Sequence, residues 1–183
     1  TNKIAEGELM QLANKNNLNT SLQQLKKISY YKTGRLFEAS AKSAAMLSGK
    51  SIPFIENISK AAKLIGIAFQ VRDDLLDYGV SKGNIGKPEM QDILEDKITY
   101  PLYFALKNSN KKDSSKILKK LKNKDFSIEE VADFVSSSNA FNKCNSLIQN
   151  YNNEISKCIN QISNKEIRDE MLNLSESLKN RYE

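Results

Sequence analysis

Apolar residues recur along this chain in steps of three and four, and polar or glycine-bearing segments break the pattern at only a few places. The clearest run is Ile55, Ile58, Ala62, Ile65, Phe69, Arg72 and Leu76, an inward-facing helical stripe apart from Arg72. Ser51-Ile52-Pro53 opens this helix, with proline near the first turn, where its missing N–H is no loss. Upstream, Thr1 to Asn14 reads as a short helix ending in the polar stretch Asn14-Lys15-Asn16-Asn17. Thr20 or Ser21 caps a second helix that runs to about Leu47 and stops at Gly49. Downstream, Gly79, Gly83 and Gly86 end the long helix, and residues 79–88 form a glycine-rich loop. Helical character resumes near Asp92 and continues through Ala105. Ser127, with Glu130 three residues on, has capping-box spacing, and polar amphipathic helices fill the chain from there to Glu183. The predicted class is all-α, with residues 1–183 forming one domain and no internal repeat.

Composition supports long helices: of 183 residues only 7 are glycine and 3 proline, and tryptophan is absent. No run of about 18 apolar residues is present to span a membrane, and no charged-then-apolar leader opens the sequence. Cys144 and Cys158 lack CxxC spacing, and the chain has no histidine to complete a zinc site with them. They read as two reduced thiols of a cytoplasmic protein. The missing histidine also excludes Ser-His and Cys-His catalysis and His-ligated metals. Any chemistry must rest on carboxylates, lysines, hydroxyls and a metal held by oxygen.

The net charge of +6 draws much of its excess from Lys107, Lys111, Lys112, Lys116, Lys119, Lys120, Lys122 and Lys124. A nucleic-acid patch mixes arginine and aromatics into such a run, and this one has neither. It reads as a solvated helix face, with no nucleic-acid partner.

The acidic residues are more informative. Gly66, Gln70, Asp73 and Asp77 are spaced four, three and four apart, which places them on one helix face beside the apolar stripe. Asp73 and Asp77 are expected to converge on one hard cation, with Asp74, about 100° further round, assisting from the flank. Like charges near a helix C-terminus oppose the helix dipole, so stability alone explains them poorly. Magnesium suits such a set, because it takes oxygen ligands and is shared between carboxylates and substrate phosphates. Lys32, beside Thr33 among apolar and small residues, either snorkels outward or serves an anion. Lys87 lies in the glycine-rich loop, within reach of a phosphate bound near the aspartates.

These residues resemble a known family. The segment Phe69-Gln70-Val71-Arg72-Asp73-Asp74-Leu75-Leu76-Asp77-Tyr78 is similar to FQxxDDxLD, the second aspartate-rich motif of trans-isoprenyl (polyprenyl) diphosphate synthases. Glu6-Gly7-Glu8 with Gln11 resembles the EGExxQ block, and Tyr31-Lys32-Thr33 with Leu36-Phe37 resembles YxKTAxLF. Gly86-Lys87-Pro88 with Asp92, Lys97, Thr99 and Pro101 resembles GKPxGxDxxEGKxTLP. The blocks stand in the family's order, and the likeness weakens after Leu106.

The resemblance implies the C-terminal half of an isoprenoid-synthase-type helical bundle. It implies head-to-tail condensation of an allylic diphosphate with isopentenyl diphosphate, with magnesium as cofactor and a homodimer as the usual assembly. Pyrophosphate leaves to give an allylic cation, isopentenyl diphosphate attacks it, and a proton passes to the departing pyrophosphate. On this reading Asp73, Asp74 and Asp77 serve the metal, while Lys32, Lys87 and more weakly Lys97 bind diphosphate. Thr33 and Gln70 place dipoles near the cation.

Four positions depart from the family pattern: Gly34 replaces a small Ala or Ser, Met90 and Asp96 replace glycines, and Ser138-Asn139-Ala140 stands where a glycine is common. The family's first aspartate-rich motif precedes the EGExxQ block and has no counterpart here. The chain is therefore expected to be a partial domain, truncated on its N-terminal side and inactive alone, because Leu178-Lys179-Asn180-Arg181 resembles a family C-terminus. The alternative is a catalytically silent synthase-like subunit that stabilises or regulates a partner.

Overall fold

A computed structural model describes residues 2–79 and 90–180. Among them the chain is helical throughout, with no strand. The order is α1 (Asn2–Ala13), α2 (Leu22–Ser29), a π-helical turn (Tyr30–Gly34), α3 (Arg35–Leu47), α4 (Ile52–Asp77), α5 (Gln91–Leu94), α6 (Tyr100–Asn108), α7 (Lys111–Asn123), α8 (Ile128–Ser137), α9 (Ala140–Ile159) and α10 (Lys165–Asn180). No described helix is long and apolar enough to cross a membrane.

Local signals fix most of the helix starts. Ser21, rather than Thr20, caps α2: its hydroxyl accepts from the Gln24 N–H at 3.1 Å, while Thr20 donates to the Asn14 side chain. Ser127 accepts from the Glu130 N–H at 3.2 Å, which is half of the expected capping box. The Glu130 carboxylate turns instead to Lys120, 2.6 Å away. Helix does not run unbroken from Asp92 to Ala105. The single turn α5 ends at Leu94, Asp96 adopts φ +63°, and α6 begins at Tyr100 with Pro101 in its first turn. Proline cannot donate to the preceding turn, so a helix can start there but not pass through.

The long helix α4 is the centre of the molecule, packed chiefly against α3 on one side and α9 on the other. The expected stripe is buried at Ile58, Ala62 and Ile65. Further along, the fully buried positions are Ala68, Val71 and Leu75, while Phe69, Arg72 and Leu76 are only half-buried. A helix with neighbours on two sides has no single inward face, so a one-stripe reading drifts off the true core. Ala61, Ile65 and Ala68 pack with Ile155, Cys158 and Ile159 of α9. Leu25, Val71 and Leu75 meet Tyr100, Cys144 and Ile148. A further cluster joins α6, α7 and α8 through Leu102, Ala105, Ile117, Leu121, Val131 and Val135. Each large aliphatic side chain buried this way contributes about 1.5–3 kcal/mol. Both cysteines are free and buried, and burial raises both thiol pKa values.

Three positions where glycine is usual in the resembling family have left-handed backbone here: Met90 (φ +63°), Asp96 (φ +63°) and Asn139 (φ +62°). That conformation costs an ordinary side chain roughly 1–2 kcal/mol, and asparagine less. Met90 offsets the cost by burying its side chain in the α6–α8 cluster, and Asp96 by an ion pair with Lys124.

Candidate active site

The run from Leu22 to Leu47 is one helix in outline with a wider turn set into it. At Tyr30–Gly34 the Arg35 N–H reaches the Tyr30 carbonyl, five residues back, so the turn is π-helical. Turns of this kind concentrate at functional positions. This one holds Lys32 and Thr33. The Lys32 ammonium donates to Gln11 Oε1 of α1 at 2.6 Å and lies 3.6 Å from Glu8 Oε2. The Thr33 hydroxyl donates to Gln70 Oε1 of α4 at 3.0 Å. Two of the sequence blocks, on α1 and on α4, thus meet the turn that carries a third.

Gln70 relays that contact to the acids. Its amide donates to Asp74 Oδ1 at 2.9 Å and to Asp73 Oδ2 at 3.4 Å. The other Asp74 oxygen accepts the Tyr100 N–H at 3.2 Å, and the Tyr100 hydroxyl bonds to Ser29 Oγ at 3.0 Å. The structure divides the three aspartates by environment. Asp73 is half-buried, whereas Asp74 and Asp77 are buried. Burial, then the nearby Asp92 charge, pushes the Asp74 carboxyl up to about 8 against the hydrogen bonds from Gln70 and Tyr100. The Asp77 oxygens accept the Gln91 N–H at 3.0 Å and the Asp92 N–H at 2.9 Å, which anchors the start of α5 to the end of α4.

Lys97 completes the ring of charge. Its side chain is only 16% exposed, with the ammonium 2.7 Å from Glu95 Oε2 and 3.4 Å from Asp92 Oδ1. Burial works against its charge, but the two carboxylates outweigh it and the pKa is raised. A narrow cavity of ≈ 20 Å³, room for about one water, is bordered by Gln11, Lys32, Gln70, Asp74, Lys97 and Tyr100. An apolar cavity of ≈ 380 Å³ opens between α3, α4 and α10, lined by Leu36, Phe37, Ala41, Ile65, Met171 and Leu174. Phe37 lies one turn beyond Thr33, and its ring centroid is 6.1 Å from that of Phe69.

Of the residues singled out in the sequence, Lys32, Thr33, Gln70, Asp73, Asp74 and Lys97 come together here, with Asp77 one turn further along α4. Lys87 lies outside the described residues. The sequence reading missed the Tyr100 N–H, the Asp92 charge beside Asp74, and the π-helical turn. Asp92 was visible only as a member of a block, and nothing local marks the other two.

A family model described as polyprenyl synthetase matches residues 1–138. The chain belongs to that family. It is 36% identical over 117 residues to an octaprenyl diphosphate synthase of Haemophilus influenzae, covering 64% of this chain and 36% of that protein. It is 34% identical over 145 residues to an all-trans-nonaprenyl-diphosphate synthase (geranyl-diphosphate specific) of Rhodobacter capsulatus, covering 79% of this chain and 44% of the relative. The chain thus spans less than half the length of these relatives. Among solved structures, a polyprenyl synthase of Caulobacter crescentus in complex with calcium and isoprenyl diphosphate is similar with a TM-score of 0.88 at 25% identity, covering 97% of this chain and 55% of that one. A decaprenyl diphosphate synthase of Rhodobacter capsulatus shares the fold with a TM-score of 0.87 at 24% identity, covering 98% of this chain and 56% of that one.

The donor set bears on the metal that this polyprenyl synthetase chain would hold. Among the described residues, no group of three or more acidic or thiol side chains is arranged to hold a metal ion by itself. What is present is the half-buried carboxylate of Asp73 next to a buried acid, Asp74, whose ionisation burial opposes. That fits a hard divalent cation co-ligated by a substrate's phosphate oxygens, the usual mode for magnesium.

Proposed function

We propose that this chain supplies the magnesium–diphosphate half of a polyprenyl diphosphate synthase, which condenses an allylic diphosphate head-to-tail with isopentenyl diphosphate. The supporting observation is the convergence of Lys32, Gln70, Asp74 and Lys97 from three separate blocks around one small cavity, with Thr33 and Asp73 bonded to Gln70 beside it.

Asp73 is the principal carboxylate for magnesium, with Asp74 behind it. Asp77 serves from further back, where its oxygens receive the Gln91 and Asp92 N–H groups and fix the start of α5 beside the site. Magnesium would supply charge neutralisation for a leaving diphosphate. Lys32 and Lys97, joined by Lys87, bind the diphosphate oxygens. Lys32 must exchange its Glu8 contact, and Lys97 its Asp92 and Glu95 contacts, for the substrate, while Lys32 keeps one of its three N–H donors on Gln11. As the allylic C–O bond breaks, the diphosphate leaves with the bonding electrons, and the cation left behind lies near the Thr33 and Gln70 dipoles. The new C–C bond forms to isopentenyl diphosphate, and the released proton goes to the diphosphate. The apolar cavity beyond Phe37 takes the hydrocarbon chain, whose burial there requires no polar partner.

The proposed activity is expected of a completed protein rather than of this chain, which covers 36% and 44% of the two relatives' length. The test joins it to the N-terminal portion of a related octaprenyl diphosphate synthase and follows incorporation of labelled isopentenyl diphosphate into extraction-soluble product. Magnesium-dependent incorporation by the joined protein, and none by either part, is expected. A well-folded joined protein without incorporation would contradict the reading.

A further inference from the structure

The π-helical turn is gripped from both sides by the same five-residue device. On α1, Gly7 lies against the turn's backbone: a Cβ there would stand 2.3 Å from the Lys32 nitrogen, 2.6 Å from the Tyr31 carbonyl carbon and 2.7 Å from the Lys32 Cα. One turn further along α1, Gln11 accepts from the Lys32 ammonium at 2.6 Å. On α4, Gly66 lies against the other end of the turn, where a Cβ would stand 2.7 Å from Gly34 Cα and 3.2 Å from its nitrogen. One turn further along α4, Gln70 accepts from the Thr33 hydroxyl at 3.0 Å. Both helices therefore read Gly-x-x-x-Gln, with the glycine admitting the backbone and the glutamine holding a side chain. The i, i+4 spacing puts glycine and glutamine on one face of each helix.

A wider turn inserted in a helix has fewer local constraints than the α-helix around it, and its register is set by what packs on it. Gly34 adds to the confinement, since a Cβ there would meet Ile67 Cγ1, the Lys63 carbonyl and Tyr30 Cδ2, each at 3.2 Å. The replacement of the family's small residue by glycine at this position thus has a steric meaning.

We infer that Gly7 and Gln11 on α1, with Gly66 and Gln70 on α4, form paired clamps that set the π-helical turn's register, making Gly7, Gln11 and Gly66 positioning residues for Lys32 and Thr33. This rests on the proposed role of Lys32 as a diphosphate ligand, and it explains why residues of the EGExxQ-like block lie beside a site whose reactive groups come from elsewhere. Gly7 and Gly66 touch no reacting atom. Their effect runs through the placement of Lys32 and Thr33.

The test uses the full chain with its lysines reductively methylated with ¹³C, so that the Lys32 and Lys97 methyl resonances are read separately, alongside titration with inorganic diphosphate in MgCl2. Gly7→Ala is expected to shift the Lys32 resonance, leave that of Lys97 in place, and weaken diphosphate binding about tenfold or more, the scale of a misplaced contact. General loosening of the fold would move both lysines together. If Gly7→Ala does not fold, Gln11→Leu decides, because it removes the tether without adding atoms to the glycine contact. It too is expected to shift Lys32 alone. A folded Gly7→Ala or Gln11→Leu protein with an unmoved Lys32 resonance would overturn the inference, as would equal movement of Lys97. Should the unsubstituted chain bind no diphosphate, the functional reading fails, and the two resonances still decide the clamp.

Discussion

Lys116 of α7 and Lys124 just after it, in the basic run, keep 67% and 56% of their side-chain surface in solvent, whereas Lys32 and Lys97 keep 30% and 16%. The partners differ as well. Around α7, Lys116 and Lys120 share Glu130, and α7 buries only Ser114, Ile117 and Leu121. Around the cavity, Lys32 is held from α1, Thr33 from α4, and Asp74 by a backbone N–H from α6. The basic run has more charge per residue and less organisation. What marks the cavity as a site is not the number of charges but the cost of gathering them. Asp74 is an acid held where it does not readily ionise, by Gln70 one turn back on α4 and by the Tyr100 backbone N–H from α6. Exposed charge on one helix costs nothing to keep and signals little.

The largest effect that separates the two regions lies in turnover. In a protein completed with the N-terminal portion of a relative, Asp73→Ala is expected to lower turnover with isopentenyl diphosphate at least ~100-fold, the scale of losing a main charge-stabilising contact. Near-normal turnover would remove the cavity's special status.

Next comes packing. Gly66→Ala puts a methyl 2.7 Å from backbone that cannot swing aside, so chemical denaturation should show a loss of about 1–3 kcal/mol. No measurable loss would mean that the π-helical turn and α4 separate easily at this point.

The third expectation concerns pH. Asp74 has a folded pKa near 8, far above its ordinary value of 3.8, so between those values the folded chain holds a proton that the unfolded chain has lost. Its contribution is therefore fully present below about pH 4, and stability falls as pH rises toward 8. Asp74→Asn should flatten that part of the pH–stability curve, and an unchanged slope would place the source elsewhere. The smallest effect belongs to α7. Replacing Lys111, Lys112, Lys119 and Lys122 with glutamine should alter stability by no more than about 0.5 kcal/mol each and leave diphosphate binding intact at physiological salt.

Much of this contrast is legible in the order of the residues alone. Periodicity and caps give α1 and the start of α4, and Ser21 and Ser127 act as caps as their spacing suggests. The aspartate cluster and Lys32 stand out because their chemistry is costly where they sit. The Tyr100 N–H is hidden by distance, since it reaches Asp74 across 26 residues through the packing of α6 on α4. Asp77 reads as a partner of Asp73 from helix geometry alone, and its bonds to Gln91 and Asp92 depend on where the chain returns after α4. The π-helical turn is hidden for another reason: a single wider turn leaves the hydrophobic period on either side intact, and only Gly7 and Gly66, read together with their glutamines, hint at it.

Calorimetric titration of the chain with inorganic diphosphate, in the presence and absence of MgCl2, tests most directly whether the cavity is one magnesium–diphosphate site. The predicted result is saturable binding that requires magnesium and is lost in both Asp73→Ala and Lys32→Met. Binding that proceeds without magnesium, survives both substitutions, and disappears when the four lysines of α7 are neutralised would contradict it.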